Sequence, residues 1–219
     1  MPVPKELIAH FEEKNFYHTF CKSVGNVDLF KDSVDKYHFL QWYFLFLGPF
    51  VDTYFFNLLD NHVHFAIKIK SEEKIVETLS QYHPELLIPT HQKFLKRKCS
   101  LHTLIAKQFQ RLFIKYTIYY NKNYLRKGHL FVRPFKRKHV VDSRHFARLM
   151  VYIHANEVHH KISKTFENSK WSSYNEILGY KPTKIMRTQI LALCGGRQKF
   201  ILLNKQMALR YSDLDFEDF

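Results

Sequence analysis

Apolar residues recur at two spacings along the chain, and the points where the spacing changes delimit the elements it predicts. Asn15 to Phe30 alternates about Val24-Gly25-Asn26, which predicts a hairpin-like turn between two short strands. Asp32 or Ser33 then caps a helix running to about Leu47, and Gly48-Pro49 ends it. Val51 to Leu58 and His62 to Lys70 read as paired strands about the turn Leu59-Asp60-Asn61. Ser71-Glu72-Glu73 opens a second helix with its acids in the first turn, where the helix dipole favours them.

In the second half Leu101, Leu104, Ile105, Gln108, Phe109, Leu112, Phe113 and Tyr116 keep helical spacing behind Ser100, a good N-cap. Asn121 to Gly128 reads as a loop, and His129 to Phe135 as a strand or extended arm. Asp142 or Ser143 caps a further helix, which carries Tyr152. Beyond His160 the pattern weakens to Trp171-Ser172-Ser173-Tyr174 and a short helix from Lys184 to Leu193, ahead of Cys194-Gly195-Gly196. Strands and helices mixed without strict alternation indicate an α+β domain with an antiparallel sheet.

Composition narrows the class. With 46% hydrophobic residues in 219, the chain can bury the core of one ordinary domain, with or without appendages. Its longest apolar stretch, Phe39 to Val51, is interrupted by Gln41 and Gly48-Pro49, so no run reaches the roughly 18 residues of a membrane span. The start, Met1-Pro2-Val3-Pro4-Lys5, lacks the layout of a secretory signal, and a cytoplasmic protein is expected. Cys21, Cys99 and Cys194 are odd in number and far apart, which predicts free thiols rather than disulfides or a structural zinc site.

Charge changes the picture most. The net charge is +14, and the 56 residues from Leu86 to Val141 contain no Asp or Glu but 14 Lys and Arg. The rest of the chain balances, so the whole excess lies in that segment. Phe109, Phe113, Tyr116, Tyr119, Tyr120, Tyr124, Phe131 and Phe135 are interleaved with its cations. Rings that stack on unpaired bases and cations that meet phosphates point to a nucleic acid partner. Arg126, Lys127, Arg133, Lys136, Arg137 and Lys138 are the expected phosphate contacts.

Two small constellations carry chemistry. In a strand, His62 and His64 of Asn61-His62-Val63-His64 point to one face, which suits a clamp on a divalent metal. Alone the pattern is weak, because the chain has 14 histidines. On a helix Asn156 stands one turn after Tyr152, so a phenol and a neutral oxygen ligand share a face.

Asn61-His62-Val63-His64 is followed in order by Phe109, Tyr116-Thr117 with Tyr120-Asn121, Gly128-His129-Leu130-Phe131, Arg133-Pro134-Phe135-Lys136, Tyr152-Ile153-His154-Ala155-Asn156 and Trp171-Ser172-Ser173-Tyr174. This order, over about residues 15 to 180, resembles the REP-associated tyrosine transposases, within the single-tyrosine HUH transposases of insertion sequences (IS200-like). The resemblance implies a ferredoxin-like central antiparallel sheet with helices packed mainly on one side and the Tyr152 helix beside a metal. It implies Mg²⁺ or Mn²⁺ on His62 and His64, with Asn156 as a third ligand, and Tyr152 as the nucleophile. The implied activity is metal-dependent nicking and rejoining of single-stranded DNA, with or without a hairpin, through a 5′-phosphotyrosine link, by a monomer or homodimer.

One position departs from the family's pattern: Glu157 stands where proline usually follows the asparagine. Without proline the Tyr152 helix can run on toward His160, and the Glu157 carboxylate is a minor candidate for the metal shell. Two alternatives follow. One is a domesticated module that binds nucleic-acid hairpins without cutting; the other is a metal-dependent hydrolase that uses water. The expected layout is a transposase-like domain over 1–180 and a C-terminal extension over 181–219. The extension's acidic, aromatic end, Ser212 to Phe219, reads as a frayed tail, with the alternative that it folds over the basic segment.

Overall fold

The computed structural model describes residues 4–25 and 27–211. Its strands are β1 (Phe16–Lys22), β2 (Val51–Leu58), β3 (His62–Ile69) and β4 (Lys136–Val140). The helices are α1 (Ser33–Leu47), α2 (Glu72–Ser80), α3 (Pro89–Leu95), α4 (Leu101–Asn123), α5 (Ser143–His159), α6 (Ser173–Leu178), α7 (Arg187–Cys194) and α8 (Arg197–Tyr211). Five helix starts are fixed by local chemistry, α6 among them, where Ser172 accepts from Tyr174 N. Asp32, Ser71, Ser100 and Asp142 each accept a hydrogen bond from a backbone N–H of the first turn.

The sheet order is β2-β3-β1-β4, and every neighbouring pair is antiparallel. Two crossovers, β1-α1-β2 and β3-α2-α3-α4-β4, give the ferredoxin-like α+β arrangement. Crossovers of one hand deliver α1 and α4 to the same face. There Tyr43 of α1 stacks on Phe65 of β3 with ring centroids 4.0 Å apart, and Phe39 meets Tyr116 of α4 edge-on.

The opposite face is covered as well. α5 packs across β2 and β3, and α8 packs along α5. Burial on both sides explains why β2 and β3 are almost wholly buried rather than alternating. The outer edge of β2 is covered by bridges from Thr53 to Ile185 and from Asn57 to Ser172. Such pairing satisfies backbone groups that would otherwise invite another strand.

The expected N-terminal hairpin is corrected. The chain after Lys22 does not return as a hairpin strand. Gly25 turns with φ +67, but Leu29 and Phe30 donate to the Asp60 carbonyl instead, and β1 pairs with β3 and β4. Of the strand or extended arm expected over His129 to Phe135, the structure shows the arm, with an isolated Phe131–Ser23 bridge, and regular pairing begins at Lys136. Asn26 and the acidic tail, 212–219, lie outside the described residues. No helix among the described residues is long and apolar enough to cross a membrane. All three cysteines are free thiols.

Candidate active site beneath α5

Strand register decides which side chains share the site. His64 lies opposite Phe20 of β1 and Asn57 of β2, while His62 lies opposite Lys22. Directly paired residues project to one face, so His62, His64, His18, Phe20 and Asn57 all point toward α5. On β4 the same face carries Lys136 and Lys138, paired with Phe20 and His18.

Tyr152 comes down on this face from α5. Its ring meets His64 edge-on at 5.4 Å and His18 at 5.8 Å. One turn later Asn156 is fully buried, its Oδ1 3.0 Å from His62 Nε2. Asn57 fixes the helix to the sheet by donating from Nδ2 to the Ile153 carbonyl at 2.9 Å. Tyr152, His62, His64 and Asn156, all picked from the sequence, therefore meet at one place.

The hydrogen bonding is incomplete in a telling way. Asn61 Oδ1 lies 2.6 Å from His62 Nδ1. A carbonyl oxygen only accepts, and of the two that face His62 the closer is Asn61 Oδ1, at 2.6 Å against 3.0 Å for Asn156 Oδ1; with its single proton on Nδ1, neutral His62 offers a lone pair at Nε2. That lone pair faces another acceptor, Asn156 Oδ1. Asn156 Nδ2 and Asn57 Oδ1 are buried without partners. Two acceptors converging with no proton between them fit a bound cation, and the outer Asn61 contact is the kind that orients a ligating histidine. His62, His64 and Asn156 thus fit the chemistry of a divalent metal. Among the described residues no group of three or more His, Cys, Asp and Glu side chains is arranged to hold one.

Burial keeps these groups neutral. It pushes His62 down to about 4, with His160 and Lys22 adding to the effect and Asn156 opposing it. His64 falls well below its usual value through burial and the neighbouring imidazoles, and His18 falls to about 3 through burial and then Lys138. Neutral imidazoles are the form that binds metals. Burial raises the Tyr152 phenol above 10.0, and Asn156 works against that rise.

His18 was missed in the sequence. Its Nε2 lies 2.9 Å from His64 Nδ1, and both rings are buried. Only the β1–β3 register, across 46 residues, reveals the pair. His160, just past α5, meets His62 with ring centroids 4.8 Å apart. Glu157 points elsewhere: its Oε1 accepts from Ser169 Oγ at 2.6 Å, clasping the loop after α5.

The six cations divide. Lys136 and Lys138 flank the site, Lys136 with its Nζ 5.6 Å from the Phe20 ring centre. Lys127 and Arg133 are exposed, Arg133 lining a groove of about 290 Å³ between α4 and 129–135. Arg126 instead donates to the His129 carbonyl at 2.7 Å, which folds the loop after α4. Arg137 is buried, donates from Nε to the Ala9 carbonyl at 2.7 Å and stacks against Phe11 and Phe135.

A four-stranded ferredoxin-like sheet with a His-x-His strand under a tyrosine-bearing helix defines the class of fold and site. The chain has the fold of a REP-associated tyrosine transposase solved bound to a REP hairpin. That structure matches over 80% of this chain and 86% of its own, with a TM-score of 0.50 and 9% sequence identity. No protein-family model and no curated protein matches the chain.

Proposed function

We propose that the protein nicks and rejoins single-stranded, hairpin-containing DNA, with Tyr152 as the nucleophile. The observation that carries this reading is the convergence of Tyr152, His62, His64 and Asn156 beneath α5. The likeness to a transposase bound to a REP hairpin supports it at the level of the fold. The acid-free basic segment supports a polyanionic partner.

His62, His64 and Asn156 would hold Mg²⁺ or Mn²⁺, which when bound neutralises charge developing on the scissile phosphate. Tyr152 attacks in line: its phenol oxygen forms the new bond to phosphorus as its proton passes to solvent. The bond to the 3′ oxygen breaks, and that oxygen leaves with the electron pair and takes up a proton. The products are a 5′-phosphotyrosine and a free 3′-OH. Phosphodiester count is conserved, so attack by a second 3′-OH rejoins the strand and releases Tyr152 without ATP. Lys136 and Lys138 lie where they can meet the flanking phosphates, and Lys127 and Arg133 extend the contact toward α4.

The test is incubation of labelled hairpin DNA with Mg²⁺ or Mn²⁺ and a denaturing gel. The expected product is a covalent protein–DNA adduct that Tyr152→Phe abolishes. DNA binding without an adduct would mark a hairpin-binding module. Cleavage that survives Tyr152→Phe would mark a hydrolase.

A further inference from the structure

His62 and His64 are both anchored through Nδ1. On His62 the anchor is Asn61 Oδ1 at 2.6 Å, and on His64 it is His18 Nε2 at 2.9 Å. A neutral imidazole has one N–H and one lone pair, so whichever nitrogen holds the proton decides which can bind a cation. For His62 the shorter contact, 2.6 Å to Asn61 Oδ1 against 3.0 Å to Asn156 Oδ1, favours the proton on Nδ1. The His18–His64 pair shares a single proton, and two arrangements exist. If His18 donates, the remaining N–H of His64 sits on Nε2 and closes that nitrogen to a metal. If His64 donates from Nδ1, its Nε2 keeps a bare lone pair.

We propose that His18 is a positioning residue that accepts the Nδ1–H of His64, so that the Nε2 lone pair is the one presented to Tyr152 and Asn156. The proposal rests on the metal-site reading above. His18 is built to hold one ring position. It is 1% exposed, stacks on Phe20 at 4.7 Å, meets Tyr152 edge-on, and lies between Ala66 of β3 and Lys138 of β4. Phe20 also stacks against His64 at 5.7 Å, so one ring aligns both imidazoles.

The first test uses the metal-free wild type with ¹⁵N-labelled histidine, in which long-range ¹H–¹⁵N correlations read each tautomer directly. His64 is expected as the Nδ1–H form; finding it as Nε2–H would overturn the proposal. The second compares Mn²⁺ affinity by paramagnetic resonance. His18→Leu is expected to weaken binding by about 10- to 100-fold, the usual cost of losing an outer-shell partner. His18→Gln, whose amide oxygen can accept the same proton, is expected to restore most of it. Unchanged affinity in His18→Leu, or no recovery in His18→Gln, would also overturn the proposal. Should the wild type bind no Mn²⁺, the metal reading fails, and the tautomer of His64 still decides the role of His18.

Discussion

Two histidine networks use α5, and they are satisfied to different degrees. Around His154 every bond has a donor and an acceptor. Asn204 Nδ2 donates to the Phe200 carbonyl, which turns its Oδ1 to His154 Nδ1 at 2.8 Å. Nδ1 is therefore the N–H, and His154 Nε2 accepts from Ser173 Oγ, which itself accepts from Phe56 N. This chain of bonds ties α5, α6, α8 and β2 together. Around His62 two acceptors face each other and Asn156 Nδ2 has no partner. A fully bonded network stabilises a fold; an under-bonded one at the meeting of Tyr152 and two histidines has the character of a binding site.

Substitutions should separate the two. His154→Leu leaves the Ser173 hydroxyl proton and Asn204 Oδ1 without their partner in the core, and should cost about 2–4 kcal/mol of stability in urea denaturation. Folded molecules of this variant should still bind Mn²⁺. His62→Leu should do the reverse, changing stability by less than about 1 kcal/mol, since it removes an imidazole whose bonding is incomplete. It should also abolish the covalent adduct on a denaturing gel.

Acid sharpens the comparison from a third histidine. His91, between α3 and α4, is pushed down to about 4, chiefly by burial and then by Arg111, while Gln108 opposes the shift. Between that value and the unfolded 6.5 the unfolded chain binds more protons, so stability rises with pH. The His91 contribution is complete above pH 6.5 and is lost as pH falls through about 4. His91→Leu should flatten the fall of the melting midpoint over that window.

The smallest effect belongs to Glu157. Its bond to Ser169 makes it a loop clasp, so Glu157→Gln should leave Mn²⁺ affinity unchanged and cost about 1 kcal/mol or less.

What could be read from the sequence follows from which interactions are local. Asp32, Ser71, Ser100 and Asp142 announce their helices because a cap bonds within its own first turn. β2, β3 and the joint facing of His62 and His64 follow from a period of two. β4 was hidden because Lys136-Arg137-Lys138-His139-Val140 reads as a charge run, the composition an edge strand tolerates. α8 was missed because its main contacts run to α5, far away in sequence. His18 has no local signature at all. Arg126 and Arg137 show the converse: a cation in a basic run can be held by backbone carbonyls, which only coordinates reveal.

Whether a cation completes one network and not the other is measured most directly by the melting midpoint during Mn²⁺ titration. At about 100 times the dissociation constant, binding to the folded state alone adds about 2.7 kcal/mol. For a domain of this size that is a rise of roughly 5–10 °C. The account predicts that rise in the wild type and in Ser173→Ala, and none in a His62→Ala/His64→Ala double variant. A wild type that does not respond, or a double variant that responds equally, would contradict it.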